Sequence, residues 1–120
     1  MKLKKIYNAI AGLQELAKRD LPVSESFKLV KILQQTEPEC VNFEIQRNKL
    51  LVKYGTSPDG KAYKLFGEKK NEYIKEITPL EDIDIKLDLS NKIQLSADFN
   101  FPSEYLKSIL DFVELKEGDD

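Results

Sequence analysis

The sequence predicts an α+β fold, with an N-terminal helical hairpin followed by a small antiparallel β-sheet carrying short helices. Three observations predict it. Residues 3–18 repeat apolar side chains at three- and four-residue steps, the period of a helix. Residues 23–54 are rich in large apolar side chains and run into Gly55, a helix-stop residue. Residues 82–89 alternate apolar and charged side chains, the period of a half-buried strand.

The first helix carries Leu3, Ile6, Tyr7, Ile10, Leu13, Leu16 and Ala17 on one stripe. Gly12 lies inside it and costs about 1 kcal/mol relative to alanine. A glycine there predicts the close passage of another helix. Asp20-Leu21-Pro22 ends the element. A second helix is expected from Ser24, which can cap free backbone N–H groups, with Phe27, Val30, Ile32 and Leu33 forming its apolar face. Thr36-Glu37-Pro38-Glu39 has the form of a helix start, with Thr36 as cap and Glu39 completing a capping box. The chain therefore either breaks and restarts there or kinks and continues. From 37 to 54 the apolar set is Val41, Phe43, Ile45, Leu50, Leu51 and Tyr54.

Ser57-Pro58-Asp59-Gly60 is a turn, expected between short extended segments, with Ala62 to Phe66 on its far side. Residues 68–77 read as a third helix that ends before Pro79, with Tyr73, Ile74 and Ile77 inward. In the strand at 82–89, Ile83, Ile85, Leu87 and Leu89 alternate with Asp84, Lys86 and Asp88. Ser90-Asn91 turns the chain, and residues 93–97 are the expected antiparallel partner. Pro102 opens a last helix with Tyr105, Leu106, Ile109, Leu110 and Val113 inward. No repeat or linker interrupts the sequence. The expected organisation is one domain over 1–120, with the helical hairpin at 1–55, the α+β part at 56–116 and a frayed tail at 117–120.

Composition narrows the chemistry. The 120 residues carry 19 basic and 21 acidic side chains. That balance argues against a chain whose main work is coating nucleic acid. Residues 1–20 hold five basic and two acidic groups, whereas residues 61–120 hold nine and fourteen. Such asymmetry can steer a partner, although a solvated surface accounts for it as well. Histidine is absent, which removes the commonest general base and metal ligand. The single cysteine, Cys40, sits among Glu37, Glu39 and Glu44, which disfavour its thiolate. One cysteine and no long apolar run predict a cytoplasmic protein without disulfide or membrane span. The basic N-terminus is broken by Asn8, Gln14 and Glu15, so it reads as a helix and not as a signal peptide. No glycine-rich phosphate loop is present. Glu81, Asp82, Asp84 and Asp88 are the densest carboxylates, but they lack the spacing of a calcium loop, and strand alternation explains them. These readings predict a non-enzymatic chain with no cofactor, no metal and no catalytic residue.

What stands out is apolar surface. Phe27, Val30, Ile32, Leu33, Val41, Phe43, Ile45, Leu50, Leu51, Val52 and Tyr54 occupy more than one face of residues 23–54. Either the first helix and the C-terminal sheet cover them all, or part of this surface serves a partner. The candidate partner-binding residues are Phe27, Val30, Phe43, Arg47, Tyr54, Tyr63 and Lys64.

Leu21-Pro22, Ser26-Phe27-Lys28 and Lys31 resemble a small family of uncharacterised proteins of tailed phages and prophages of low-GC Gram-positive bacteria. So do Glu37, Glu39, Arg47, Leu50-Leu51, Tyr54-Gly55, Asp59-Gly60, Tyr73, Lys75-Glu76-Ile77, Leu80, Ile83 and Ile85, and then Pro102, Tyr105, Leu106 and Leu110. The likeness spans most of the chain, and each motif is a generic capping or packing signal. Pro38 departs from the unbroken second helix that the resemblance implies. It implies a small phage-encoded protein with no known enzymatic activity and no functional residues to carry over. The leading expectation is a protein that binds a host or phage protein as inhibitor or adaptor. Homo-oligomers are allowed, and membrane or nucleic acid is not expected. Two alternatives are a virion or tail assembly component and an anti-defence protein. The last would sequester a nucleotide signal or inhibit a nuclease through Tyr63, Lys64, Phe66, Lys69 and Lys70.

Overall fold

The computed structural model describes residues 1–56 and 64–116. In chain order the elements are α1 (Leu3–Leu16), α2 (Val23–Tyr54), α3 (Gly67–Glu81), β1 (Ile93–Ser96), α4 (Ser103–Ser108) and β2 (Val113–Lys116). The long axis of the molecule is 59 Å. A helix of α2's length accounts for roughly 48 Å of that at 1.5 Å per residue.

α1 forms where its apolar period predicts, burying Leu3, Ile6, Ala9, Gly12, Leu13 and Leu16. It packs antiparallel against α2 as a helical hairpin. At one end the Tyr7 and Phe43 rings lie 4.8 Å apart. Toward the other, Leu13 and Leu16 join Leu29 and Ile32 in the main core. Gly12 is the close approach that its sequence position suggests. A Cβ there would lie 2.8 Å from Ile109 Cγ2 and 3.0 Å from the Tyr105 carbonyl oxygen, so the segment that meets α1 is α4 and its C-terminal end.

α2 runs unbroken through Pro38. Of the two outcomes open at Thr36–Glu39, the helix continues. Thr36 is not a cap: it is fully buried, and its hydroxyl donates backward to the Ile32 carbonyl at 3.0 Å. Ser24 is not a cap either, because the helix begins at Val23 after Pro22 and the Ser24 hydroxyl donates to Glu25. α3 likewise passes its proline and ends at Glu81, four residues beyond the expected stop. Pro79 removes one donor, but the ladder resumes with the Asp82 N–H on the Thr78 carbonyl at 3.1 Å.

The expected antiparallel sheet is not formed. The sheet is two-stranded and parallel, with Ile93 opposite Val113 and Ser96 opposite Lys116. Two assignments account for the difference. Residues 109–113 continue the helical period of α4 on paper, yet α4 stops at Ser108. Tight i→i+3 bonds, Ile109 N–H to Leu106 and Phe112 N–H to Ile109, turn the chain there. Residues 97–112 thereby cross over and lay β2 beside β1 in the same direction, as a parallel pair requires. The second assignment is the segment 82–89, which is extended without being a strand. It makes one isolated antiparallel bridge, Lys2 with Asp84. The remainder is held by side chains. The Gln35 amide donates to the Asp88 carbonyl at 3.2 Å and accepts from the Asp88 N–H at 2.7 Å, standing in for a neighbouring strand. Its alternation survives as burial from Ile85 onward: Ile85, Leu87 and Leu89 are half-buried and Asp84, Lys86 and Asp88 are exposed, but Ile83, expected inward, is exposed as well.

Glu25 ties α2 to the sheet. Its carboxylate accepts from the Gln94 N–H at 2.6 Å and from Lys28 Nζ at 3.0 Å. Burial by itself raises the carboxyl pKa, but the bonds from Gln94, Lys28 and Ser24 together outweigh it and hold the pKa below the usual value. Stabilisation from a depressed carboxyl is present above the unfolded-state pKa and disappears as pH falls through the folded one. Glu25→Ala is expected to cost about 2 kcal/mol at pH 7, because it strands the Gln94 N–H. The gap between the urea midpoints of the two proteins should narrow in acid, below the ordinary carboxylate range, without closing, because the neutral carboxyl still accepts from the Gln94 N–H.

Candidate functional site

At 3.6 residues per turn, a continuous helix from Val23 to Tyr54 sorts its side chains into two opposed stripes. Glu25, Leu29, Ile32, Thr36, Cys40 and Phe43 are buried against α1, α3 and the sheet. Arg47, Leu50 and Tyr54 extend the same stripe half-buried. Opposite them, Val23, Phe27, Val30, Val41, Ile45 and Val52 fall within a sector of about 60°. All six are exposed, from 47% for Ile45 to 86% for Val23. Gln34, Glu37, Pro38 and Asn48 fill the remaining positions of this outer stripe. The half-buried Leu33 and Gln35 mark where cover by neighbouring elements ends.

Charge borders the stripe asymmetrically. Lys31, Lys49 and Lys53 lie along one side, and Glu37 and Glu44 along the other, all exposed. Lys31 Nζ sits 4.9 Å from the Phe27 ring centroid, partly screening that ring. Lys53 pairs loosely with Glu76 of α3 at 3.7 Å. Glu44 accepts from the Tyr7 hydroxyl at 3.0 Å. On the basic side, a cleft of about 350 Å³ opens between the start of α2 and residues 88–91. Of its two lysines, Lys28 is paired with Glu25 and Lys31 lies over the Phe27 ring.

The seven residues singled out from sequence do not converge. Phe27 and Val30 belong to the outer stripe. Phe43 is buried in a small core with Leu3 and Ile77. Arg47 is structural: its guanidinium donates to the Tyr7 hydroxyl at 2.8 Å and stacks over the Tyr7 and Phe43 rings. Tyr54 is half-buried on the inner stripe. Lys64 is exposed, and its backbone bridges Thr56. Ser57–Gly60, where the sequence predicts a turn, and Tyr63 lie outside the described residues. Val23 is not among the apolar residues that the sequence singles out, and Val41, Ile45 and Val52 belong to its surplus apolar set without being site candidates. The signal that finds them is angular position along one unbroken helix.

The thiol of Cys40 is buried between α1 and α2. Burial first, then the charges of Glu44, Glu37 and Glu39, push its pKa up to about 11, so it is protonated at neutral pH. Among the described residues, no group of three cysteine or carboxylate side chains is placed to hold a metal ion. Among the same residues, no helix is long and apolar enough to cross a membrane. No protein-family model, curated protein or solved structure matches this chain.

Proposed function

We propose that the chain is a non-enzymatic phage or prophage protein that binds a host or phage protein through the outer face of α2. The observation that carries this reading is the exposed stripe Val23, Phe27, Val30, Val41, Ile45 and Val52. A helix whose opposite face already anchors it to the core has no folding reason to carry six large apolar side chains in one outward sector. An unpartnered amphipathic face of this form fits helix-in-groove or helix-to-helix recognition. The phage assignment rests on the sequence resemblance, and the binding assignment on the stripe. The high pKa of Cys40 and the lack of histidine agree with a role without catalysis.

Ile45→Asp tests the binding reading, because it places a charge in the middle of the stripe without touching the core. Affinity purification from infected cells with the tagged wild-type chain is expected to retain a stoichiometric protein, a second copy of the chain included. The variant is expected to lose it while keeping the same helical circular dichroism. Equal recovery from both would remove the outer face of α2 as the binding surface.

A further inference from the structure

We propose that the occupant of the outer α2 face is a second copy of this chain, with the two α2 helices side by side and parallel. This rests on the reading of that face as a binding surface and names its partner. Two observations select a second copy and its direction.

The first is area. The six exposed side chains present roughly 600 Å² of surface in two runs, 23–30 and 41–52, in sum comparable to the largest patch a typical monomer leaves open. Complete burial of both copies' stripes would remove at most about 1,200 Å² from water, the lower edge of specific interfaces. The flanking charged side chains add to it.

The second is charge complementarity. In a parallel pair, the two-fold axis runs along the helices, so the basic border of one copy meets the acidic border of the other. Glu44 and Lys49 lie on opposite borders, five residues apart, on either side of Ile45 and Asn48. That is the spacing by which flanking charges pair across a parallel two-helix seam, and symmetry makes each pair twice. An antiparallel pair centred on Val41 would match the apolar residues equally well, facing Val30 with Val52. It would, however, bring like borders together, Lys31 toward Lys49 and Glu37 toward Glu44, which is destabilising. Lys31 and Lys49 join no ion pair among the described residues, whereas Lys28 pairs with Glu25 and Lys53 with Glu76. In the parallel arrangement Gln34 and Asn48 each face their own copy. Their amides can both donate and accept, so they pair in that register.

Sedimentation equilibrium of the full chain is expected to give the mass of two chains, and Ile45→Asp and Phe27→Asp the mass of one, with helical circular dichroism unchanged. Lys49→Glu is expected to weaken association roughly tenfold, and adding Glu44→Lys to restore it. In a Cys40→Ala background, Val52→Cys is expected to form an intermolecular disulfide on mild oxidation, because equal positions near one helix end meet only in a parallel pair. A one-chain mass at every concentration overturns the proposal, as does a dimer that survives Ile45→Asp. A dimer without the Val52→Cys cross-link overturns the parallel arrangement. A wild-type chain that is monomeric alone but captures an Ile45→Asp-sensitive protein from cells overturns the second copy and leaves the binding face standing.

Discussion

Replacing Phe112 by alanine is expected to cost about 4 kcal/mol, the largest loss from any single truncation in this chain. Among the described residues, Phe112 is the largest side chain with no exposed surface. It sits in the turn between α4 and β2, inside the cluster that joins Ala9, Leu13, Leu16, Leu29, Ile32, Ile93 and Ile109. Its backbone also closes the sheet, because its carbonyl accepts from the Ile93 N–H at 3.0 Å. The truncation would leave a cavity at the point where α1, α2 and the crossover meet. Domains of this size are stable by about 5–15 kcal/mol, so the variant is expected to be marginal. Urea unfolding followed by circular dichroism should show a much lower midpoint with little change in slope. Leu115→Ala, on the exposed side of β2, is the control and should cost well under 1 kcal/mol.

At Gly12 two effects of opposite sign compete. Alanine gains about 1 kcal/mol of helix propensity over glycine. The added Cβ, however, meets Ile109 Cγ2 and Ser108 Oγ at 2.8 Å and the Tyr105 carbonyl at 3.0 Å. Ile109 is fully buried, and the Ser108 hydroxyl is held on the Tyr105 carbonyl at 2.7 Å, so neither can retreat freely. Overpacking of this kind costs about 1–3 kcal/mol, and the clash is therefore expected to win. Gly12→Ala should lower stability by about 1 kcal/mol. Gly12→Leu should lower it by about 3 kcal/mol or more and loosen α4 from α1. A stabilised Gly12→Ala protein, read from thermal unfolding, would show that the approach of α4 is looser than described.

Local periodicity was legible where an element is long and one face alone is buried. α1 is the clearest case, and Gly12 announced its contact before the contacting segment could be named. Periodicity misled where non-local pairing decided the outcome. Val113 continues the helical stripe of Tyr105, Leu106 and Ile109 on paper, but pairing with Ile93 draws it into a strand. The alternation of 82–89 reported burial correctly at Ile85, Leu87 and Leu89 but not at the exposed Ile83, and it reported strand pairing wrongly, because the Gln35 side chain supplies bonds that a ladder would have made.

The candidate site was half visible for a related reason. Thr36 to Glu39 can start a helix, and a break there would erase the angular relation between Phe27 and Ile45. Only with α2 continuous through Pro38 do Val23, Phe27, Val30, Val41, Ile45 and Val52 fall in line. The same continuity places Phe43 and Arg47 on the inner stripe, where they pack against Tyr7 and leave the surface to others.

The outer stripe of α2 has no role in the fold described here, so it should be covered when the protein works. The most direct test is the solution mass of the purified full chain over a concentration series. The account predicts a shift from one chain to two as concentration rises, abolished by Ile45→Asp. A single-chain mass at all concentrations, identical in wild type and variant, would contradict it.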